Sequence, residues 1–327
     1  MKVLVTGGRG LLGSATVAAL AAGGHDVTTF QRTSSGHARE VLGDITDISA
    51  VQRAVAGQDA VVHLAAKVSM TGDWREFVDI NVEGTRHVVE ACRTQGVRRL
   101  VHVSSPSVAH AGEPLVGVGA QPADPDHARG GYARSKAMAE LIALGANSSD
   151  LTVTAIRPHL VWGPGDTQLV ERIIDRARSG RLFLIDHGQA LIDTTYVDNA
   201  AEALVCALER GPGGRAFVVS NGEPRTVAEL VTRIAHAGGA GVRGRVPYPV
   251  ARAAGTVVER FWGDRPGEPP ITSFLAEQLA TAHWFDQRQT REALGWEPKV
   301  TLAEGFTRLD AAYRSGAGDK GRFHGAD

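Results

Sequence analysis

The chain has 327 residues, of which 43% are hydrophobic, and its formal net charge is −1. This length and composition predict a packed core in one large domain or two smaller ones. The balanced charge argues against nucleic acid and anionic membranes as general partners. Two cysteines without metal-like spacing give neither a disulfide framework nor a metal site, so we expect no metal and a reducing, cytoplasmic environment. The start MKVLVTGGRG lacks the apolar core of a signal peptide, and no run is long enough to span a bilayer.

The first half of the chain alternates short apolar runs with stretches of helical period. A helix is predicted from Leu11 to about Ala22, and a second, FVDINVEGTRHVVEACRTQG, should end at Gly96. The predicted strands are KVLVT, HDVTTF, DAVVHLAA, RRLVHVSS and LTVTAIRP, the last ending at Pro158. Strands that alternate with helices predict an α/β fold with a doubly wound parallel sheet.

The regular alternation of strands and helices ends after Pro158. WGPGD reads as a turn, a helix follows near 167–179, LFLI is a short strand, and TTYVDNAAEALVCAL is a strand that leads into a helix. Residues 223–310 are mostly helical in pattern. The predicted organisation is a dinucleotide-binding domain of residues 1–165, rejoined by 194–222, a smaller, mostly helical substrate-binding lid of 166–193 and 223–315, and a polar, disordered tail of 316–327.

Three glycines, Gly7, Gly10 and Gly13, stand between the first strand and the first helix. Gly7 permits a tight turn, Gly10 lets the backbone approach a pyrophosphate, and Gly13 lets the helix pack close to the sheet. The helix N-terminus then offers N–H groups and partial positive charge to phosphates. This position in the chain favours dinucleotide binding over a purely structural glycine turn.

The spacing G-x-x-G-x-x-G, together with YARSK at 132–136, resembles the extended branch of the short-chain dehydrogenase/reductase superfamily, the NAD-dependent epimerase/dehydratase superfamily. The resemblance covers nearly the whole chain and implies a Rossmann fold. GDITD resembles the adenine-contacting loop, HLAAKV the loop beside the cofactor ribose, and RPHLVWGPGD the loop at the nicotinamide. The cofactor contacts it implies are Gly7, Gly10, Leu11, Leu12, Gly13, Arg32, Asp44, Ile45, Ala65, Ala66, Lys67, Tyr132, Lys136, Pro158 and His159.

The end of the second strand bears on the choice of cofactor. In the family an acidic residue there often binds the adenosine ribose, whereas this chain has Gln31 and Arg32. A carboxylate would repel a 2′-phosphate and a guanidinium grips it. We therefore expect NADP, with NAD as the alternative; a solvated surface arginine is the other interpretation of Arg32.

The resemblance also implies a catalytic set. SSPSV places the family's catalytic hydroxyl on Ser105, with Ser104 as the nearest alternative, and the tyrosine and lysine are Tyr132 and Lys136. NVEGT resembles the motif of an asparagine that positions water in a proton relay, here Asn81. An ammonium at about 4 Å would lower the pKa of the phenol by about three units from its usual value of about 10. Tyrosine and lysine four apart also occur on an ordinary helix face, and the ordered motifs favour catalysis.

Two histidines, His63 and His102, lie within apolar strands, where a structural role is expected. For the substrate, Ile192 stands where nucleotide-sugar enzymes of this branch carry a diphosphate-binding arginine, and no cation nearby replaces it. The stretch PPITSFLAEQLATAHWFDQRQTREALGWEP resembles the 3β-hydroxysteroid dehydrogenase and 2-alkyl-3-oxoalkanoate reductase group. This implies an enzyme that interconverts a secondary alcohol and a ketone on a small hydrophobic lipid or steroid. The alternatives are a nucleotide-sugar epimerase or dehydratase and a non-catalytic dinucleotide-binding regulator.

The late segments complete the prediction. Residues 246–262 are apolar enough to line a lipid pocket or touch a membrane surface, although an ordinary amphipathic lid helix fits as well. Trp262, Phe274 and Trp284 are expected to close the pocket. In this family, pairing through helices at 78–95 and 132–146 is common, so the resemblance implies a homodimer.

Overall fold

The structure is a computed structural model, and it describes residues 1–69, 71–109, 113–262 and 269–315. The predicted disordered tail, 316–327, lies outside the described residues. The strands are β1 Lys2–Thr6, β2 Asp26–Gln31, β3 Glu40–Leu42, β4 Ala60–His63, β5 Arg99–Val103, β6 Leu115–Val118, β7 Thr152–Pro158, β8 Val161–Trp162, β9 Phe183–Ile185, β10 Leu191–Ile192, β11 Thr195–Tyr196, β12 Arg215–Val219, β13 Arg225–Thr226, β14 Gly244–Val246 and β15 His283–Phe285.

The α-helices are α1 Leu11–Ala22, α2 Ile48–Val55, α3 Trp74–Phe77, α4 Gly84–Gln95, α5 Gly130–Gly145, α6 Val170–Arg178, α7 Val197–Arg210, α8 Val227–Ala237, α9 Tyr248–Trp262, α10 Ser273–Ala280, α11 Arg288–Leu294 and α12 Leu302–Arg314. A π-helical turn, Val78–Glu83, joins α3 to α4, and a 3₁₀ turn, Pro106–Ala109, follows β5.

The seven-stranded central sheet is parallel throughout, in the order β12-β7-β5-β4-β1-β2-β3. Its two faces bury separate cores because side chains alternate along each strand. On β1, Val3 and Val5 pack with residues of α1 and α7, and Leu4 packs with residues of α2, α4 and α5. The predicted doubly wound Rossmann sheet is confirmed, and its order reverses between β1 and β4, the place where such folds bind dinucleotides.

The remaining elements form the smaller part of the molecule. A four-stranded sheet has the order β13-β10-β15-β6, and β14 pairs with β9. A third core packs residues of α6, α8 and α12 with Ile192 and Trp162. Strand β6 pairs in parallel with β15, so the next strand after β5 in the chain belongs to a sheet of the C-terminal part.

Candidate active site

The glycine turn after β1 leaves open the space that a pyrophosphate needs. Gly7 has φ +76°, and a Cβ there would lie 3.0 Å from the amide nitrogen of Ala65, which follows β4. A Cβ on Gly13 would lie 2.1 Å from the Gly7 carbonyl oxygen, so only glycine lets α1 start this close to the turn. A Cβ on Gly10 would meet only that oxygen, at 3.6 Å. The first turn of α1 carries no acidic residue, and its N–H groups and open side fit phosphate binding.

Gln31 faces the adenosine end of this cleft. Its side-chain amide donates to Thr29 and, over 2.7 Å, to the Ser35 hydroxyl, while its buried Oε1 has no hydrogen-bond partner in the described chain. An unpaired buried acceptor is costly, and a ribose hydroxyl would satisfy it. A nicotinamide dinucleotide therefore fits the residues present at both its pyrophosphate and its adenosine ends.

Three charged side chains, Arg9, Arg32 and Asp44, lie around the adenosine end of the cleft. Arg32 is exposed at the end of β2, near enough to Asp44 to contribute to lowering its pKa, although the main cause is the hydrogen bond from the Thr46 N–H. Arg9, inside the glycine turn, donates to the Thr33 hydroxyl over 2.6 Å. Sequence reasoning passed over Arg9, although its place between Gly7 and Gly10 was the signal that could have identified it.

The catalytic candidates meet where β5 ends. The hydroxyl of Ser105 forms a hydrogen bond with the phenol of Tyr132, and Ser107 donates to the same serine oxygen over 2.9 Å. The buried Ser104 hydroxyl has no hydrogen-bond partner in the described chain. Burial raises the pKa of Tyr132, and the bond with Ser105 offsets part of this rise. Thus the geometry joins Ser105, not Ser104, to the phenol.

Lys136 lies one turn after Tyr132 on α5 and is only 3% exposed. Its ammonium donates to the carbonyl oxygen of Val103 over 2.6 Å. Burial lowers its pKa to about 8, while the Glu140 carboxylate acts in the opposite direction. The expected lowering of the Tyr132 pKa by this ammonium is not seen, because the burial of the phenol is the largest cause and raises the pKa.

A buried ion pair supports α5 from behind. Arg157 on β7 makes two hydrogen bonds to the Glu140 carboxylate, of 2.8 and 2.5 Å, and both side chains are 1% exposed. Arg157 also donates to the carbonyl oxygen of Gln121. This pair fixes α5 to β7 of the central sheet, one turn from Lys136.

Asn81 lies in the π-helical turn before α4, and its side chain is fully engaged. Its Oδ1 accepts from the Lys67 N–H over 2.7 Å, and its amide group donates to the Lys67 carbonyl and to the hydroxyl of Ser135 on α5. These bonds connect the loop after β4 to the catalytic helix. They give Asn81 a positioning role in the ligand-free site, and water placement stays a prediction.

The strand histidines are buried beside Lys136. His63 bonds to the hydroxyls of Thr6 and Thr85, and burial, with Lys136 as the second cause, lowers its pKa to about 3. His102 is fully buried, and the same two causes hold its pKa well below the usual value. Both rings are neutral, which agrees with the structural role expected of them.

The substrate side of the cleft is aromatic. His159 follows Pro158 at the end of β7, and its ring stands edge-on to the rings of His283 and Phe285, each 5.0 Å away between centroids. Trp284 packs over Gly117. Arg129, just before α5, binds the carboxylate of Glu277 on α10 over 2.6–2.8 Å, so the helix that carries Phe274 is tied to the one that carries Tyr132.

The expectation that no cation lies near Ile192 is corrected by the strand register. Ile192 pairs with Arg225 on the antiparallel neighbour β13. The guanidinium group of Arg225 is engaged by Glu223 and Glu229 at 3.4 and 3.5 Å. Ile192 itself is 6% exposed and packs in the core of the lid. The sequence around Ile192 does not indicate that it pairs with a residue 33 positions later.

Within the ranges that the structure describes, no three His, Cys, Asp or Glu side chains gather as a metal site. In the same ranges, no helix combines the length and the apolar character needed to cross a bilayer.

Comparison with known proteins agrees with this geometry. Residues 3–220 match the family described as the NAD dependent epimerase/dehydratase family. The 2-alkyl-3-oxoalkanoate reductase of Stenotrophomonas maltophilia (strain K279a) is 44% identical, over 95% of this chain and 99% of that protein. The 3-beta-hydroxysteroid dehydrogenase of Mycolicibacterium neoaurum is 30% identical, over 93% of this chain and 88% of that protein. The structure of MoeE5 in complex with UDP-glucuronic acid and NAD is 27% identical with a TM-score of 0.73, over 97% of this chain and 100% of that chain.

Proposed function

We propose that this chain, which belongs to the NAD dependent epimerase/dehydratase family, is an NADP-preferring reductase that interconverts ketone and secondary alcohol on 3-oxo or 3-hydroxy lipids. It is an enzyme of the reductase and dehydrogenase kind, acting on CH–OH and keto groups, and a nicotinamide dinucleotide is its cofactor. The observation that carries the proposal is the hydrogen bond between Ser105 and Tyr132 beside the buried Lys136.

A bound nicotinamide dinucleotide would supply or accept the hydride. During reduction, Tyr132 donates its phenolic proton to the ketone oxygen, and Ser105 orients that oxygen and stabilises its developing charge. Because burial raises the pKa of Tyr132, the phenol is fully protonated near neutral pH, as a proton donor must be. Lys136 holds the nicotinamide ribose and stabilises the phenolate that proton transfer leaves behind. Asn81 keeps the Lys67 loop and α5 in register.

The preference for NADP rests on the charge around the adenosine end. Arg9 in the glycine turn and Arg32 at the end of β2 offer two guanidinium groups, and Gln31 stands in place of a carboxylate. The one nearby acid on β3, Glu40, accepts bonds from Ser34, Ser35 and the N–H of Gly36, so it is committed to bracing the loop. A 2′-phosphate would therefore meet two cations, and the two acids nearest to it in the described chain, Glu40 and Asp44, both accept hydrogen bonds from their own loops.

The substrate class is inferred from the apolar lid and from the relatives. The S. maltophilia protein that is 44% identical over nearly its full length is named for a 2-alkyl-3-oxoalkanoate, and another relative is named for a 3-beta-hydroxysteroid. Both names describe a 3-oxo or 3-hydroxy group on a largely hydrocarbon body. The alternative is a nucleotide-sugar enzyme, favoured by Arg225 opposite Ile192 and by the likeness to MoeE5.

The test follows cofactor oxidation with a 2-alkyl-3-oxoalkanoate of increasing chain length, a 3-oxosteroid, and UDP-glucose, each with NADPH and with NADH. We expect turnover of the lipid with NADPH, and affinity that rises with chain length by up to about 0.8 kcal/mol per buried methylene. Tyr132→Phe should retain NADPH binding and lose at least about a hundredfold in turnover. Turnover or tight competition by the UDP compound, without turnover of any lipid, would transfer the function to the nucleotide-sugar class.

The arginine variants test the cofactor preference separately. Arg32→Ala and Arg9→Ala should each weaken NADPH by about 1.5–3 kcal/mol, the value of one hydrogen bond to a charged group, and leave NADH unchanged. The exposed Arg53 on α2 gives the matched control Arg53→Ala, which should alter neither affinity. Equal binding of the two cofactors by the unaltered protein would refute the preference.

Two features of the organisation stay proposals. One is the division into a dinucleotide-binding domain, 1–165 with 194–222, and a lid, 166–193 with 223–315. The other is a homodimer formed through α4 and α5. The outward-facing Leu141 on α5, 48% exposed, supports the second.

A further inference from the structure

Helix α9 turns one continuous apolar face outward. Val257 is 56% exposed and Phe261 is 70% exposed, values that are high for such side chains. The members recur at the spacing of a single helix face, and we call them the α9 stripe: Val250, Ala253, Ala254, Val257, Val258 and Phe261. The stripe contains no polar side chain along its whole length.

The other side of α9 is firmly seated. Ala251 is 2% exposed and packs with Ile185 and Ala276, and a Cβ added to Gly255 would lie 2.4 Å from the amide nitrogen of Ser273. Glu259 accepts hydrogen bonds from the N–H and the hydroxyl of Ser273 at the start of α10. The orientation of the helix is thus fixed by its buried side. Within the described chain, the apolar face on the other side therefore remains exposed.

The exposed charged positions of α9, apart from Glu259, are arginines. Arg252 and Arg260 are exposed, and neither has an acidic partner within the described ranges. The one carboxylate of the helix, Glu259, is occupied by Ser273. Helical spacing places Arg260 beside the stripe and Arg252 on the opposite side of the helix. An apolar stripe on a helix that carries exposed arginines at its other positions is the pattern of a helix that lies in the interface of an anionic bilayer. The net charge of −1 concerns the whole molecule and does not oppose attraction at this local surface.

We propose that the α9 stripe docks on the surface of an anionic lipid bilayer. A 15-residue helix is about 22 Å long and lies flat in the interface. A second copy of this chain fits less well, because six mostly small side chains cover on the order of a few hundred Å², against about 800 Å² per partner in a stable interface. The unpaired arginines also favour an anionic partner, because two copies would bring like charges together.

The docked face is connected to the catalytic helix. Helix α10 packs against α9 and is joined through Glu277 to Arg129, which precedes Tyr132 by three residues. A ligand that leaves the bilayer beside α9 would therefore enter on the side of the protein where α10 is joined to the start of α5. The docking itself does not depend on which ketone the enzyme reduces.

The experiment is flotation of the full-length protein with vesicles of phosphatidylcholine alone or with phosphatidylglycerol, at low and high salt. We expect binding to the anionic vesicles that weakens with salt. Val257→Asp/Phe261→Asp should reduce it at least tenfold, and Phe261→Leu should retain it. Arg252→Gln and Arg260→Gln should each reduce it about fivefold, the equivalent of about 1 kcal/mol per basic residue near the surface. Leu42→Asp, at a site with a similar exposure of 55%, is the matched control and should bind as the unaltered protein does.

Circular dichroism establishes that each variant is folded, and light scattering gives its oligomeric state. Equal flotation of the folded double variant and the unaltered protein would overturn the proposal. Absence of flotation of the unaltered protein would also overturn it. If the unaltered protein is then a dimer that dissociates in the double variant, the stripe binds a second copy of the chain. Equal binding to neutral and anionic vesicles would overturn the part given to the arginines.

Discussion

The buried ammonium of Lys136 should make cofactor binding depend on pH. Burial lowers its pKa from the usual 10.5 to about 8 in the ligand-free protein. A bound ribose hydroxyl that accepts a hydrogen bond from the ammonium favours the charged form and raises this pKa. The cofactor therefore binds best to the protonated protein, and affinity should be full below about pH 8 and fall as the pH rises through that value.

The size of the change in cofactor affinity follows from the titration of one group, the Lys136 ammonium. With a pKa of about 8, about nine-tenths of the lysine is protonated at pH 7 and about one-tenth at pH 9, so affinity should fall about tenfold between them, or about 1.4 kcal/mol. Tyr132 does not contribute over this range, because burial raises its pKa above the ordinary 10.0. His63, with a pKa of about 3, is neutral throughout.

The assay is a fluorescence titration with NADPH and NADH at constant ionic strength between pH 6.5 and 9.5. Lys136→Met should bind more weakly and show no such fall, whereas Lys299→Met, which alters an exposed lysine, should fall as the unaltered protein does. If the unaltered protein binds equally well across the range, or if Lys136→Met falls in parallel with it, the ammonium has no part in binding.

Two further variants test the site and its support. Ser105→Ala should cut turnover by about a hundredfold without loss of cofactor binding, while Ser104→Ala should have a small effect; the reverse order would move the catalytic hydroxyl by one residue. Glu140→Gln leaves the Arg157 charge buried with one uncharged partner, so the free energy of unfolding measured in urea should fall by about 3–5 kcal/mol. Glu304→Gln, in an exposed pair, is the control and should change it by less than about 1 kcal/mol.

The parts of the fold that could be predicted from the sequence are those determined by residues close together in the chain. The bounds of α1 follow from apolar periodicity and from the glycine turn before it, and Gly13 is required because a Cβ there would collide with the Gly7 carbonyl. The parallel strands of the central sheet are short β-branched runs, each set between helices. Tyr132 and Lys136 share a helix face by spacing alone, so their proximity was also predictable.

The parts that were not predicted depend on contacts between distant segments. Strand β6 lies in the first half of the chain and pairs with β15 about 170 positions later. The carbonyl oxygen of Val103 binds the ammonium of Lys136 because β5 ends beside α5, which no local pattern reports. The π-helical turn that aims Asn81 at Lys67 and Ser135 adds one residue to a helix whose sequence reads as continuous.

Ile192 shows how a contact between distant segments changes what the sequence implies about the substrate. The sequence argument treated its apolar side chain as a missing diphosphate ligand, but the side chain is 6% exposed and packs in the core of the lid. An arginine at that position would be desolvated and would need an anionic partner, whereas isoleucine fills the same space by packing. Arg225 opposite is already engaged by two carboxylates, Glu223 and Glu229. A diphosphate at this place would have to displace both carboxylates without gaining any charge from Ile192, which weakens the nucleotide-sugar alternative.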